Sequence, residues 1–173
     1  NRIRATSPCV AVLDFGTGGG KCVLFTLQGE RLSSIRHRWH FTSAPSDHED
    51  LTPGFAFDPE VMWATLAQCT REAIDQAGVA AEAIVAVTTT SLRLGTVFLG
   101  PAKKEVYCAP NLDGRGFAGA LELLESVSRE TIVSTTGHWP PFLSTAARLI
   151  AYQQDQGAER VAHLLSLNDW LGF

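Results

Sequence analysis

Between two short apolar runs, Val10 to Phe15 and Lys21 to Leu27, the chain carries Gly16-Thr17-Gly18-Gly19-Gly20. Both flanks are too short and too rich in Val, Leu and Phe for helices, so they read as strands. A glycine-rich connection between two strands brings main-chain amides close to whatever lies outside it, and successive amides can form a nest for an anion. Lys21 adds a cation and Thr17 a hydroxyl. Asp14, at the end of the first run, is the kind of carboxylate that holds Mg²⁺ together with phosphate oxygens.

Two other phosphate motifs are excluded by the residues themselves. A P-loop ending at Lys21 would need Gly at position 15 and Ser or Thr at 22, where Phe15 and Cys22 stand. A dinucleotide fingerprint needs a helix after the glycines, and Lys21 to Leu27 reads as a strand. A glycine turn inside a β-hairpin resembles the phosphate-binding arrangement of actin-like ATPases, and the alternative is a merely structural turn.

Gln28-Gly29 turns the chain into a third antiparallel strand, from about Glu30 to Phe41. Ser43 to Phe57, polar and punctuated by Pro45, Pro53 and Gly54, reads as a surface loop. Asp58-Pro59-Glu60 announces a helix with Asp at the N-cap and Pro at the first position. Its apolar stripe includes Met62, Trp63, Leu66, Cys69 and Ala73, and Gly78 closes it. Ala83 to Thr90 reads as a buried parallel strand reached by a crossover. Thr96 to Leu99 and Glu105 to Ala109 form a hairpin around Gly100-Pro101. Asp113 to Ser126 and Ser144 to Gln156 are expected to be helical, the latter closed by Gly157, with a last helix from Glu159 to Leu165. The expected fold class is α/β: an actin-like ATPase (RNase H-like) domain, its mixed sheet opening with three antiparallel strands.

The run from Ala11 to Gly29, with its D-F-G-T-G-G-G-K, resembles the opening D-x-G-T-x-x-x-K/R signature of the FGGY carbohydrate kinases, the group of glycerol kinase and xylulokinase. The resemblance continues in order through Phe57-Asp58-Pro59 and Trp63, Ile84 to Thr90, Ala109 to Arg115, Thr136-Gly137 and Leu167 to Leu171. Ser91-Leu92-Arg93-Leu94-Gly95 and Asn111 to Arg115 look most like the autoinducer-2 kinase branch, with the xylulokinase-like branch beside it. Glycerol kinases carry an acid where Leu94 stands, and Phe142 lacks the hydroxyl of their polyol-contacting aromatic.

That resemblance implies ATP-dependent phosphorylation of a hydroxyl on a small sugar or polyol. Gly16, Thr17, Gly18, Gly19, Gly20 and Lys21 would meet the ATP phosphates and Asp14 the Mg²⁺. Arg93, Asn111, Asp113 and Arg115 would line or support the sugar pocket. Arg93 stands in an otherwise apolar stretch and needs a partner; Asp113 could instead cap the following helix, with Arg115 pairing to it on the surface. In the family the Asp base and the adenosine site lie further along, so residues 1–173 are expected to be an N-terminal domain incomplete at its C-terminal end. The second, adenosine-binding domain would be absent, and the piece alone inactive. Alternatives are a non-catalytic sugar- or partner-binding domain and another actin-like ATPase, against which Arg93 and Asn111 to Arg115 speak.

Other features are bland. With 45% hydrophobic and 18% charged residues the chain has an ordinary globular composition. Its net charge of −4 and longest basic run, Lys103-Lys104, give no footprint for nucleic acid. No apolar stretch is long enough for a membrane span, Asn1 to Pro8 has no signal-peptide core, and cytoplasm is the expected location. Cys9, Cys22, Cys69 and Cys108 form no C-x-x-C pair and read as reduced structural cysteines. Asp47, Glu49 and Asp50 read as a solvated acidic loop. Sheet edges left open by an incomplete domain would favour pairing with other chains, a homodimer included.

Overall fold

The structure is a computed structural model that describes residues 6–46, 52–156 and 161–173. In chain order the elements are β1 (Cys9–Gly16), β2 (Gly19–Thr26), β3 (Arg31–His37), β4 (Thr42–Ala44), β5 (Gly54–Ala56), α1 (Pro59–Ala77), β6 (Ile84–Ser91), β7 (Thr96–Leu99) and β8 (Glu105–Ala109). Then follow α2 (Phe117–Ser126), α3 (Arg129–Thr136), α4 (Thr145–Gln156), β9 (His163–Ser166) and α5 (Leu167–Gly172). They divide into two compact units: Asn1–His40, Asp58–Leu92 and Leu167–Phe173 in the first, Phe41–Phe57 and Arg93–Ser166 in the second.

The first unit is a four-stranded sheet in the order β3-β2-β1-β6. β1, β2 and β3 are antiparallel neighbours, and β6 returns parallel to β1 after the α1 crossover. Alternation along the strands puts Cys9 and Ala11 of β1 and Cys22 and Leu24 of β2 on one face. There they meet Cys69 and Ala73 of α1 and the following Val79 and Ala83. α1 begins as its sequence dictates: Asp58 accepts from the amides of Glu60 and Val61, and Pro59 fills the first turn. Gly78 ends it at φ 64°, a left-handed conformation that only glycine adopts without penalty. Its buried stripe is Met62, Leu66, Cys69 and Ala73.

Two expectations for this unit need correction. β3 stops at His37 rather than reaching Phe41, because Trp39 leaves the strand direction and buries its ring against Phe15, centroids 4.5 Å apart. β6 is parallel as expected but not buried. It is the edge of the four-stranded sheet, and Val85 and Val87 are 60% and 61% exposed. α5 packs against part of it, with the Thr89 hydroxyl donating to the Asn168 carbonyl.

The second unit holds a three-stranded antiparallel sheet in the order β8-β7-β9 and the two-stranded ribbon β4-β5. β7 is central and buried at every position, from Thr96 to Leu99. Phe98 stacks on Tyr107 at 4.7 Å, and Tyr152 of α4 meets both rings edge-on. α2 and α4 approach closely at Gly119, where an added Cβ would sit 2.1 Å from the Ala147 carbonyl oxygen.

Several elements here differ from expectation. Within Ser43 to Phe57, read as a loop, the described residues include β4 and β5, joined to β8 by the Phe57 amide and Cys108 carbonyl. The helix expected from Asp113 starts only at Phe117, because the Asp113 side chain turns inward. The helix expected over 159–165 gives way to strand β9, whose His163 to Ser166 pair with Leu99 to Thr96; an edge of β7 is there to receive them. α3, capped by Ser128 and ended by Gly137, was not anticipated. Gly157, Glu159 and the acidic residues Asp47, Glu49 and Asp50 lie outside the described residues. Among the described residues no helix is long and apolar enough to cross a membrane.

The four cysteines are free thiols, and Cys9, Cys22 and Cys69 are fully enclosed. Burial pushes all three thiols above their ordinary pKa, so the reactive thiolate is scarce. Iodoacetamide at pH 8 is expected to leave these three unmodified in the folded protein and to label them once guanidinium unfolds it. Native labelling at the unfolded rate, read by peptide mass spectrometry, would contradict this packing.

Candidate functional site

The β1–β2 ladder runs to the pair Gly16–Gly19, so the connection is a two-residue turn, Thr17-Gly18. Residues directly opposite across a ladder point to the same face. Thr90 of β6, Asp14 of β1, Lys21 of β2 and Arg36 of β3 are such partners, one row across four strands beside the turn. Lys21 Nζ lies 3.1 Å from Asp14 Oδ2, both side chains about one-third exposed. The Trp39 indole donates to the Gly16 carbonyl from the opposite face and holds the turn from beneath.

The glycines divide into two kinds. Gly19 and Gly20 lie inside β2. A Cβ on Gly19 would sit 2.3 Å from the His37 carbonyl oxygen, and one on Gly20 would sit 2.5 Å from the Trp39 ring. Close packing therefore explains why these two positions lack side chains, a requirement the sequence does not display. Gly18 is exposed, and a Cβ there would meet only an Arg36 Nη at 3.4 Å. Arg36 went unnoticed in the sequence; the register of β3 would have revealed it, since Lys21 faces it directly.

In the second unit, Arg93 is exposed in the turn after β6, followed by Leu94 at φ 63°. Asn111 is half-buried and opens the segment after β8. Asp113 is fully buried. Its Oδ1 accepts from the Phe55 amide at 3.0 Å and from Arg115 Nε at 2.7 Å; its Oδ2 accepts from the Tyr107 hydroxyl at 2.5 Å. Asp113 is thus not the cap of α2, whose N-cap is Gly116 with no side-chain bond. Nor is Arg115 a surface partner: it is 22% exposed, lies 4.4 Å above the Tyr107 ring and donates to the Phe55 carbonyl. Burial, with the neighbouring Asp113 carboxylate, raises the Tyr107 phenol pKa and keeps it a donor.

Arg148 of α4 completes this cluster. It is wholly buried, donates to the carbonyls of Leu94, Pro110 and Asp113, and places Nε 3.6 Å from Asp113 Oδ2. Burial lowers its pKa, but a guanidinium so placed stays charged. Its signal in the sequence was available: a lone cation inside Ala146-Ala147-Arg148-Leu149-Ile150.

Three antiparallel strands, a crossover helix and a parallel fourth strand define an α/β domain with the mixed sheet of the actin-like ATPases. Over residues 9–173 the sequence matches the FGGY family of carbohydrate kinases, N-terminal domain, and the chain belongs to that family. It is 28% identical over 166 residues to an autoinducer-2 kinase of Salmonella paratyphi A, covering 93% of this chain and 30% of that protein. Among solved structures it resembles a xylulose kinase from Rhodospirillum rubrum (TM-score 0.76, 17% identity, 95% of this chain and 33% of that one). The Plasmodium falciparum glycerol kinase crystallised with ADP is similar too (TM-score 0.77, 15% identity, 95% and 33%). The chain thus spans about a third of the length of these proteins.

The two kinds of glycine respond differently to a methyl group. Gly20→Ala is expected to lose about 1–3 kcal/mol through overpacking, lowering the melting temperature by about 2–4 °C per kcal/mol. Gly18→Ala should stay within about 0.5 kcal/mol. Equal melting temperatures in calorimetry would refute the distinction. Tyr107→Phe, which strips a donor from Asp113, should cost about 1–3 kcal/mol.

Proposed function

We propose that residues 1–173 belong to the N-terminal domain of an ATP-dependent kinase. It would supply the phosphate loop and sugar-pocket residues that transfer a phosphoryl group to a hydroxyl of a small sugar-like molecule. One observation carries this reading: Lys21 and Arg36 face each other directly beside the exposed Thr17-Gly18 turn. Like charges directly opposite on a sheet destabilise it unless an anion lies between them. Asp14 offsets one of the two cations, which leaves an excess positive charge at the end of the sheet. Phosphate supplies the matching charge.

The residues present fit Mg²⁺-ATP. Among the described residues no three His, Cys, Asp or Glu side chains cluster as a protein-only metal site. Mg²⁺ needs no such cage, being content with one or two carboxylates, water and substrate phosphates. Asp14 is a carboxylate so placed, and ATP would supply the transferable phosphoryl group. Lys21, Arg36 and the turn amides are the groups that would cradle its phosphates, and Asp14, released from Lys21, would be free for the metal. Gly16, Thr17 and Gly18 form the turn side of that cradle, while Gly19 and Gly20 hold it rigid from within β2. Charge neutralisation of this kind is the main catalytic need of phosphoryl transfer.

Arg93, Asn111 and Arg115 would orient the sugar, with Asp113 holding Arg115 in place from behind. No residue of this chain is assigned as the base. Likeness to autoinducer-2 kinases favours autoinducer-2 as substrate over xylulose, and a soluble small molecule is the partner in either case. A non-catalytic sugar-binding role is the competing reading.

In the full-length protein, a coupled ATPase assay over a panel including autoinducer-2, xylulose and glycerol tests this. Turnover should depend on one of the sugars. Asp14→Ala and Lys21→Ala should each lower kcat/KM by about 100-fold, near 2.7 kcal/mol, and Arg36→Ala by about tenfold. Sugar binding without turnover would favour the non-catalytic reading, and unchanged kinetics in Asp14→Ala and Lys21→Ala would refute the phosphate site.

A further inference from the structure

We infer that Arg148 is a positioning residue that sets the main chain carrying all four proposed sugar-site residues, an inference that rests on the kinase reading above. Those residues come from two segments, the Arg93-Leu94 turn and the stretch from Pro110 to Arg115, which flank the β7–β8 hairpin. Its ladder brings them side by side as far as the Thr96–Ala109 pair, and both leave the sheet beyond it. Leu94 adopts φ 63°, a conformation that a non-glycine residue keeps only when its surroundings impose it.

The imposing group comes from a third segment, α4. Arg148 Nη1 bonds the Leu94 carbonyl, next to Arg93. Nη2 bonds the Pro110 carbonyl at 2.9 Å, next to Asn111, and the Asp113 carbonyl at 2.8 Å, two residues before Arg115. One planar guanidinium thus fixes a carbonyl beside each proposed contact. The geometry is specific to arginine, since an ammonium is a single point that cannot span the same fork.

Stability alone would not select such an arrangement, since replacing a whole buried ion pair by well-packed apolar side chains is commonly neutral or stabilising. Once Asp113 is buried, however, removing the guanidinium alone strands a carboxylate and three carbonyls, so melting temperature must be read beside kinetics. Among the described residues Nε has no hydrogen-bond partner and lies 3.6 Å from Asp113 Oδ2. The arrangement is imperfect as an ion pair and complete as a three-carbonyl clamp. Gly116 accommodates it, because a Cβ there would sit 2.9 Å from Arg148 Cγ.

The test uses full-length protein, with steady-state kinetics for sugar and ATP separately and melting temperature measured alongside. Arg148→Lys is expected to raise the sugar KM at least tenfold, leave the ATP KM within twofold, and outperform Arg148→Met. Leu94→Gly, which loosens the clamped turn while keeping Arg148, should fold and raise the sugar KM about threefold. It keeps the question decidable if both Arg148 variants fail to fold. A lowered melting temperature with unchanged sugar KM in Arg148→Lys, or an unchanged sugar KM in Leu94→Gly, overturns the positioning role while the kinase reading stands. Wild-type protein with no sugar-dependent turnover overturns the kinase reading and this role with it.

Discussion

A carboxylate with no access to water organises the second unit. Asp113 is closed off on every side, and an isolated charge in that position would be prohibitively expensive. It is tolerable because the Phe55 amide, the Tyr107 hydroxyl and Arg115 all donate to it and Arg148 lies alongside. These partners come from β5, β8, the segment after β8, and α4. Satisfying one charge therefore ties together three stretches distant in sequence: β5, the chain from β8 to Arg115, and α4.

The first unit solves a different problem. A two-residue turn must be exposed at its tip and rigid at its base. Rigidity comes from Trp39, which fills the space that Gly20 leaves empty and bonds the Gly16 carbonyl. The glycines that look most like a phosphate cradle are thus partly the mark of an aromatic packed beneath. Asp14, Lys21 and Arg36 then stand in a row because antiparallel pairing gives them no other choice.

Much of this was legible in the sequence. Asp58-Pro59 and Gly78 mark both ends of α1, and the glycine turn between short apolar runs marks the opening hairpin. What stayed hidden depended on partners distant in sequence. β9 is a strand because β7 offers it an edge, and β6 is exposed because it is a sheet edge; neither fact is written in their own residues. Arg36 gains meaning only from the register of β3. Asp113 and Arg115 are legible as candidates, but their buried contacts with Tyr107 and Arg148 become visible only in the fold. Arg148 was missed although it obeyed the same rule that drew attention to Arg93, a lone cation in an apolar run.

The most direct check is the position of a nucleotide's phosphates. A crystal structure of the full-length protein with Mg²⁺ and a non-hydrolysable ATP analogue should place the β- and γ-phosphates against Thr17 and Gly18. Lys21 and Arg36 should lie within hydrogen-bond distance of them, and Asp14 should be turned toward the metal. Phosphates bound elsewhere, with the Asp14–Lys21 pair undisturbed, would contradict the function proposed for this turn.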